Sequence, residues 1–238
     1  MALLEMPLLL YSTARTAACT LQYQLLNSLS AALPGKMSAQ PPIDTLAIRN
    51  LRRDLLKLLR ADGRNILKGV YPMSVLRPES PFGHLLRIPR VIADGFSIHR
   101  RRNRGRPTEF RKEARDMLDD VPRYYRRNFH FQTDGYLSDT SAALYEHRVE
   151  MLFSGTADAM RRLIIPALRS HFDEKFPHDG KGLRILEIGG GTGRATRFVR
   201  LAFPKARITT CDLSAPYLKL ARSRLSEFQG IDFIQSAG

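Results

Sequence analysis

The sequence predicts an α/β chain, with a parallel sheet at its C-terminal end behind a mainly helical N-terminal region. Three observations carry this. From Leu183 onward the pattern runs strand, turn, helix, strand, helix, strand, and strands separated by helical stretches of roughly ten to fifteen residues indicate βαβ units. Four glycines fall within five positions in ILEIGGGTGRA, Ile185 to Ala195, directly after the first apolar run. Ahead of the glycines, apolar residues recur at the spacing of helix faces.

Residues 1–42 differ from the rest of the chain. Up to Lys36 there is one acid, Glu5, and two bases, Arg15 and Lys36, among many Ala, Ser, Thr and Leu. No basic stretch precedes the short apolar run Pro7 to Tyr11, which argues against a secretory signal, and the arginines are too few for an organellar transit peptide. We read residues 1–42 as a poorly ordered extension, with Met37 as a natural start.

Residues 43–120 read as a basic region of helix and loop. Asp44 can cap a helix to about Ala61, with Leu51, Leu55, Leu58 and Leu59 at helical spacing and Gly63 at its end. Pro72, Pro78, Pro81 and Pro89 make residues 69–90 a loop with short helical turns. The segment HRRRNRGRPTEFRKE holds six arginines from Arg100 to Arg111, with Gly105 and Pro107 breaking any helix, so it reads as an exposed loop.

Residues 121–180 read as a helical cap ahead of the sheet. Thr133-Asp134-Gly135 signals a turn. Ser138 or Asp139 can cap a helix from about Thr140 to Phe153, its apolar face built from Leu144, Val149, Leu152 and Phe153. His147, beside Glu146, reads as solvated. A second helix begins near Thr156, and Pro166 is expected to kink or break it. The turn His178-Asp179-Gly180 leads into residues 181–238. There Leu183 to Ile188, Arg207 to Cys211 and Ile231 to Gln235 read as strands, the first of them buried. Thr196 to Phe203 and Ala215 to Phe228 read as helices.

Composition bounds the partners. With 43% hydrophobic and 26% charged residues the chain is globular rather than disordered. No apolar stretch reaches the roughly 18 residues that span a bilayer. Cys19 and Cys211 are far apart and lack metal-ligand spacing, so they read as free thiols in a reducing, cytoplasmic setting, and no metal site is expected. Net charge is +15; from Arg49 to Arg127 there are 21 Lys and Arg against 9 Asp and Glu, which is +12 of it. Nucleic acid is a candidate partner through Arg100–Arg111, but a solvated arginine-rich surface is the favoured reading.

Glycines let a ligand approach bare backbone, and a glycine loop between strand and helix aims free N–H groups at it. The spacing separates the ligand classes. A phosphate-binding P-loop needs Lys and Ser or Thr after its last glycine; here Gly193 is followed by Arg194 and Ala195. A dinucleotide fingerprint, G-x-G-x-x-G/A, fails in both registers, because its last position falls on Arg194 or Thr196. What remains is E-x-G-x-G-x-G through Glu187, Gly189, Gly191 and Gly193, with Asp212 in ITTCDLS 19 residues after Gly193.

This segment resembles class I S-adenosylmethionine-dependent methyltransferases. The aromatic stretch from Phe129 to Arg162 looks like the region that precedes the core in the ubiquinone/menaquinone-type small-molecule subgroup. The resemblance implies a partial Rossmann-like methyltransferase core of three parallel strands with helices, with S-adenosyl-L-methionine as cofactor and a small-molecule methyl acceptor as partner. It implies a cofactor site of Glu187, Ile188, Gly189, Gly190, Gly191, Thr192, Gly193, Asp212 and Leu213. In it Glu187 faces the methionine amine, Asp212 accepts the ribose hydroxyls and Leu213 packs on the adenine. Tyr136, Tyr145 and His130 are candidate covers for the methionine end, with half-buried aromatics or a surface imidazole as the favoured alternative. The family core has seven strands and an acid after the third; here three strands fit, followed by Ser236-Ala237-Gly238, so the chain is expected to be C-terminally truncated with no assignable base. A nucleic-acid methyltransferase and a non-catalytic cofactor-binding remnant are the rival readings.

Overall fold

The structure, a computed structural model, describes residues 2–31, 44–77, 83–106, 108–126, 128 and 133–237. The first helices are α1 (Ala2–Ala31), α2 (Thr45–Leu67) and α3 (Gly83–Asn103), with a 3-10 turn at Met73–Leu76 between the last two. The short α4 (Lys112–Asp116) and a 3-10 turn at Arg123–Arg126 lead to α5 (Asp139–Leu152), α6 (Ala157–Arg162) and α7 (Ile164–Phe172). Then β1 (Arg184–Ile188), α8 (Arg194–Ala202), β2 (Arg207–Asp212), α9 (Ala215–Arg224) and β3 (Ile231–Gln235) complete the described chain.

The three strands form one parallel sheet in the order β1-β2-β3, with Glu187 opposite Thr210, Ile188 opposite Cys211, and Asp212 opposite Gln235. This is the parallel α/β arrangement that the alternation predicts, and it agrees with the partial Rossmann-like core that the resemblance implies. Successive side chains point to opposite faces. Ile185, Ile208 and Ile231 face α8 and join Phe198, Val199, Ala202 and Phe203 in the main core. Leu186, Ile188 and Ile234 face the other way and are at least half exposed, so β1 is not the buried strand expected from its apolar run.

The N-terminal region departs most from expectation. Instead of a poorly ordered extension, residues 2–31 form α1, which docks on α2, α3 and α5. Leu8 enters the main core. Arg15, the helix's only base, reaches Glu150 at 2.9 Å and Asp158 at 3.1 Å. Charge scarcity, which suggested an extension, leaves a side that packs against protein. Met37 lies outside the described residues.

Asp44 caps α2 as expected, its side chain accepting from the Leu46 N–H at 3.0 Å. Gly63 does not end that helix. It is buried within it, and a Cβ there would sit 3.8 Å from the Cβ of Leu8, so the residue marks the contact with α1. Pro89 does not keep residues 83–90 in a loop, because α3 runs through it to Asn103. Arg100, Arg101 and Arg102 therefore end a helix, where cations complement its dipole, instead of lying in a loop. Gly105 follows with φ +70°, while Pro107 lies outside the described residues.

Ser138 caps α5 through the Ser141 N–H, but the apolar side of this helix is not the one expected. Leu152 and Phe153 are exposed, whereas Glu146, His147 and Glu150 are buried. His147, expected in solvent, has no exposed surface, and its Nε2 lies 2.8 Å from the Gln22 amide of α1. The break between α6 and α7 falls at Leu163, three residues ahead of Pro166, which thus occupies the first turn of α7 where no N–H is needed.

Candidate functional site

The turn from β1 to α8 is held by its own backbone. The N–H groups of Gly189 and Gly190 both donate to the Cys211 carbonyl, at 2.8 and 3.0 Å, and Gly193 donates to Gly190 at 2.9 Å. Gly189, Gly191 and Gly193 have φ of +75°, +56° and +75°, a region that side chains disfavour. Gly190 is excluded from side chains for a different reason. A Cβ there would overlap the Thr210 hydroxyl.

Asp212 ends β2 and faces the same turn. One carboxylate oxygen accepts from the Gly191 N–H at 2.8 Å and the other from the Ser214 N–H at 2.8 Å. Ser214 caps α9 and gives its hydroxyl to the Tyr136 carbonyl, tying the cap region to the sheet. Each oxygen of Asp212 retains acceptor capacity, so it can still take a ligand donor.

Above these residues lies a cleft of about 300 Å³. Of the nine predicted site residues, Ile188, Gly189, Gly191, Asp212 and Leu213 line it. The other four stand behind it. Gly190 closes on Thr210; Gly193 closes on Ala221 of α9 and on Leu225, which caps its C-terminus. Thr192 is buried and donates its hydroxyl to Glu146 of α5. Glu187 lies on the covered face of the sheet and accepts from the Thr196 hydroxyl of α8. Burial pushes the Glu187 carboxyl up, and that hydrogen bond opposes the shift.

The remaining wall is mostly aromatic, with Ser236 and Ala237 completing it. Tyr136 and Tyr145 line the cleft, as do Tyr124, Tyr125 and Tyr217, which the sequence reading did not single out. Ring centroids of Tyr136, Tyr145 and Tyr217 are 5.4 to 6.3 Å apart in edge-on pairs. Burial raises the phenols of Tyr125, Tyr136, Tyr145 and Tyr217, so they stay protonated at neutral pH. The Tyr124-Tyr125 pair in an aromatic-rich stretch was a visible signal; Tyr217, on α9, carried none. His130 lies outside the described residues.

Two acids of the preceding helices grip the loop from outside. Besides Thr192, Glu146 accepts from Arg161 at 2.7 Å. Asp158, on α6, takes both ends of the Arg194 guanidinium, at 2.9 and 2.5 Å. Burial alone would raise Asp158, but Arg194 and Arg15 outweigh it and hold the carboxyl well below the usual carboxylate range. Glu150 beside it, buried and facing the Asp158 charge, is pushed up to about 7. Among the described residues no group of three or more His, Cys, Asp or Glu could hold a metal ion, and no helix is long and apolar enough to cross a membrane.

Residues 185–237 match the family model of a methyltransferase domain. Two curated proteins are similar to shorter stretches. A highly reducing polyketide synthase of Nectria sp is 31% identical over 104 residues, 36% of this chain and 4% of that protein. A malonyl-[acyl-carrier protein] O-methyltransferase of Priestia megaterium is 47% identical over 45 residues, 19% of this chain and 16% of that protein. The chain thus spans a small part of the length of either relative. No solved structure matches it significantly. The stretch that matches the methyltransferase-domain model thus covers the sheet and glycine turn described above.

Proposed function

We propose that this chain carries the cofactor-binding part of an S-adenosyl-L-methionine-dependent methyltransferase acting on a small-molecule acceptor in the cytoplasm. The single observation behind this reading is the cleft where bare backbone at Gly189 and Gly191 meets the carboxylate of Asp212. The residues fit the cofactor on their own geometry. Among the described residues, no atom beyond its chain neighbours lies within 4 Å of a Cβ built on Gly189, so main chain there is open to a ligand. An acid, not a lysine, attends the turn, which suits a cationic nucleoside and opposes a pyrophosphate.

Residues 181–238 are, in this reading, part of the cofactor-binding domain, and residues 121–180 its cap. Asp212 accepts the ribose hydroxyls, Ile188 and Leu213 give apolar contact, and the Gly189–Gly193 backbone faces the methionine and ribose. Glu187, behind the turn, adds negative charge toward the methionine amine. Gly190, Thr192 and Gly193 hold the turn's shape.

When bound, S-adenosylmethionine supplies a methyl group on a sulfonium, open to in-line attack. The chain's part is placement: it orients the donor and excludes water. The neutral tyrosines suit this, since aromatic rings attract a cation while their protonated phenols remove no proton from the acceptor. We assign no base. Supplying methyl-labelled S-adenosylmethionine with a panel of small organic acids and phenols tests the reading. Formation of S-adenosylhomocysteine in step with a labelled small molecule supports it; label appearing only on added RNA or DNA would replace it with the nucleic-acid reading.

A further inference from the structure

The outward side of α1 is apolar along most of its length. The helix packs on α2, α3 and α5. Away from those contacts, Met6, Leu10, Leu21, Leu25 and Leu29 are 51–61% exposed. With the exposed Ala14 and Ala17 they recur at separations of three or four residues, which keeps them on one side of the helix. The only charged residues of α1 are Glu5, ahead of this stripe, and Arg15, which turns inward to Glu150 and Asp158. A continuous exposed apolar surface of this kind marks a place that another body covers.

The order of residues in the stripe selects that body. Counted from a midpoint between Ala17 and Ala18, both exposed, the stripe reads alike in either direction. Met6 mirrors Leu29, Leu10 mirrors Leu25, and Ala14 mirrors Leu21. A two-fold axis through that midpoint sets two antiparallel copies face to face with mirrored positions in contact, the self-complementary arrangement of a C2 dimer. Large residues then meet at both ends, each Leu21 meets an Ala14, and the alanines lie at the axis. Large against small is the pairing that lets helix surfaces interdigitate. Charge agrees with a second copy. Each chain carries +15, so two copies repel on approach, and this stripe adds no like-charged pair to that repulsion. A helix built to lie on a membrane carries Lys and Arg along its polar side, whereas the one base of α1 is engaged within the fold.

We infer that the stripe is the contact face of a homodimer, in which two α1 helices pack antiparallel across a two-fold axis. A strip about 35 Å long and one helix wide is smaller than the roughly 800 Å² per partner of a standard interface, so the dimer is weak and dissociates in the micromolar range. No residue of α1 lines the tyrosine cleft, so this contact stands apart from the reading of that site.

The test is sedimentation equilibrium of the full chain from about 1 µM to about 300 µM, a range that brackets micromolar dissociation. The expected result is a reversible monomer–dimer equilibrium. Leu21→Ala, which adds no charge, should weaken it at least about tenfold, since the dimer loses two leucine contacts. Two charged variants then read the register at positions exposed enough for the fold to tolerate them. Leu10→Glu with Leu25→Glu sets like charges opposite each other and should leave only monomer. Leu10→Glu with Leu25→Lys sets opposite charges together in the antiparallel pair, and should associate at least about tenfold more tightly than the first. Circular dichroism should stay unchanged in all three. A native chain that is monomeric throughout the series would overturn the inference. So would a dimer that Leu21→Ala leaves undiminished, equal association of the two charged variants, or a monomer that instead binds phosphatidylcholine vesicles through Leu21.

Discussion

Thr192, in the glycine turn, donates its hydroxyl to the buried carboxylate of Glu146, 46 residues upstream on α5. Two positions further on, Arg194 clasps Asp158 of α6 with two hydrogen bonds. The turn is therefore clamped from the cap helices as well as shaped by its glycines. A loop already fixed in a binding conformation loses less freedom when a ligand arrives.

Replacing Thr192 with Val keeps the side-chain shape and deletes the hydroxyl. Glu146 then loses a hydrogen-bond donor in a buried place and keeps the one from Arg161. Urea denaturation should show a loss of about 1–3 kcal/mol.

Asp158→Asn should cost more. The residue neutralises Arg15 and Arg194, and it also pairs with Arg161 at 3.2 Å. Breaking a buried ion pair from one side typically costs about 3–5 kcal/mol. The same denaturation experiment should show that loss, and Arg15→Met, which removes only the α1 contact, should show a smaller one.

Gly190→Ala forces a methyl group onto the Thr210 hydroxyl, which the ideal Cβ position overlaps. We expect a cost of about 1–3 kcal/mol, as for overpacking in a tight core. Thr210→Ala removes the oxygen and leaves the next contact, Thr210 Cβ, at 3.3 Å. The double variant should therefore recover part of the melting temperature lost by Gly190→Ala.

Glu150 sets a pH dependence. Its carboxyl is pushed up to about 7 by burial and by the Asp158 charge, above its ordinary value of 4.5. A raised acid binds more proton in the folded state than in the unfolded one. Its contribution is thus present below about pH 4.5 and lost as pH rises through about 7, by an amount on the order of 3 kcal/mol. Glu150→Gln should flatten that segment of the stability-versus-pH curve, measured by urea denaturation from pH 5 to pH 8.

What the sequence disclosed is what local pattern encodes. The alternation of strand and helix, the glycine spacing and the caps at Asp44 and Ser138 depend on neighbours a few residues away. The expected and observed limits of β3 coincide at Ile231 and Gln235. What stayed hidden depends on partners distant in sequence. His147 reads as solvated until Gln22, 125 residues away, is placed beside it. Gly63 reads as a helix end until α1 lies across it. Asp158 and Arg194 are two ordinary surface charges in sequence, and only the packing of α6 on α8 makes them a buried pair. At the site, the glycines and Asp212 were legible, but that Glu187 would stand behind the turn was not, because that depends on which face α8 covers.

Titration of S-adenosylmethionine against this chain by calorimetry tests the proposed role of the glycine cleft most directly. We predict saturable binding of one molecule, weakened at least about tenfold by Asp212→Ala through loss of a charged acceptor. Absence of any binding heat, or uptake of NAD or ATP in its place with the same sensitivity to Asp212→Ala, would contradict it.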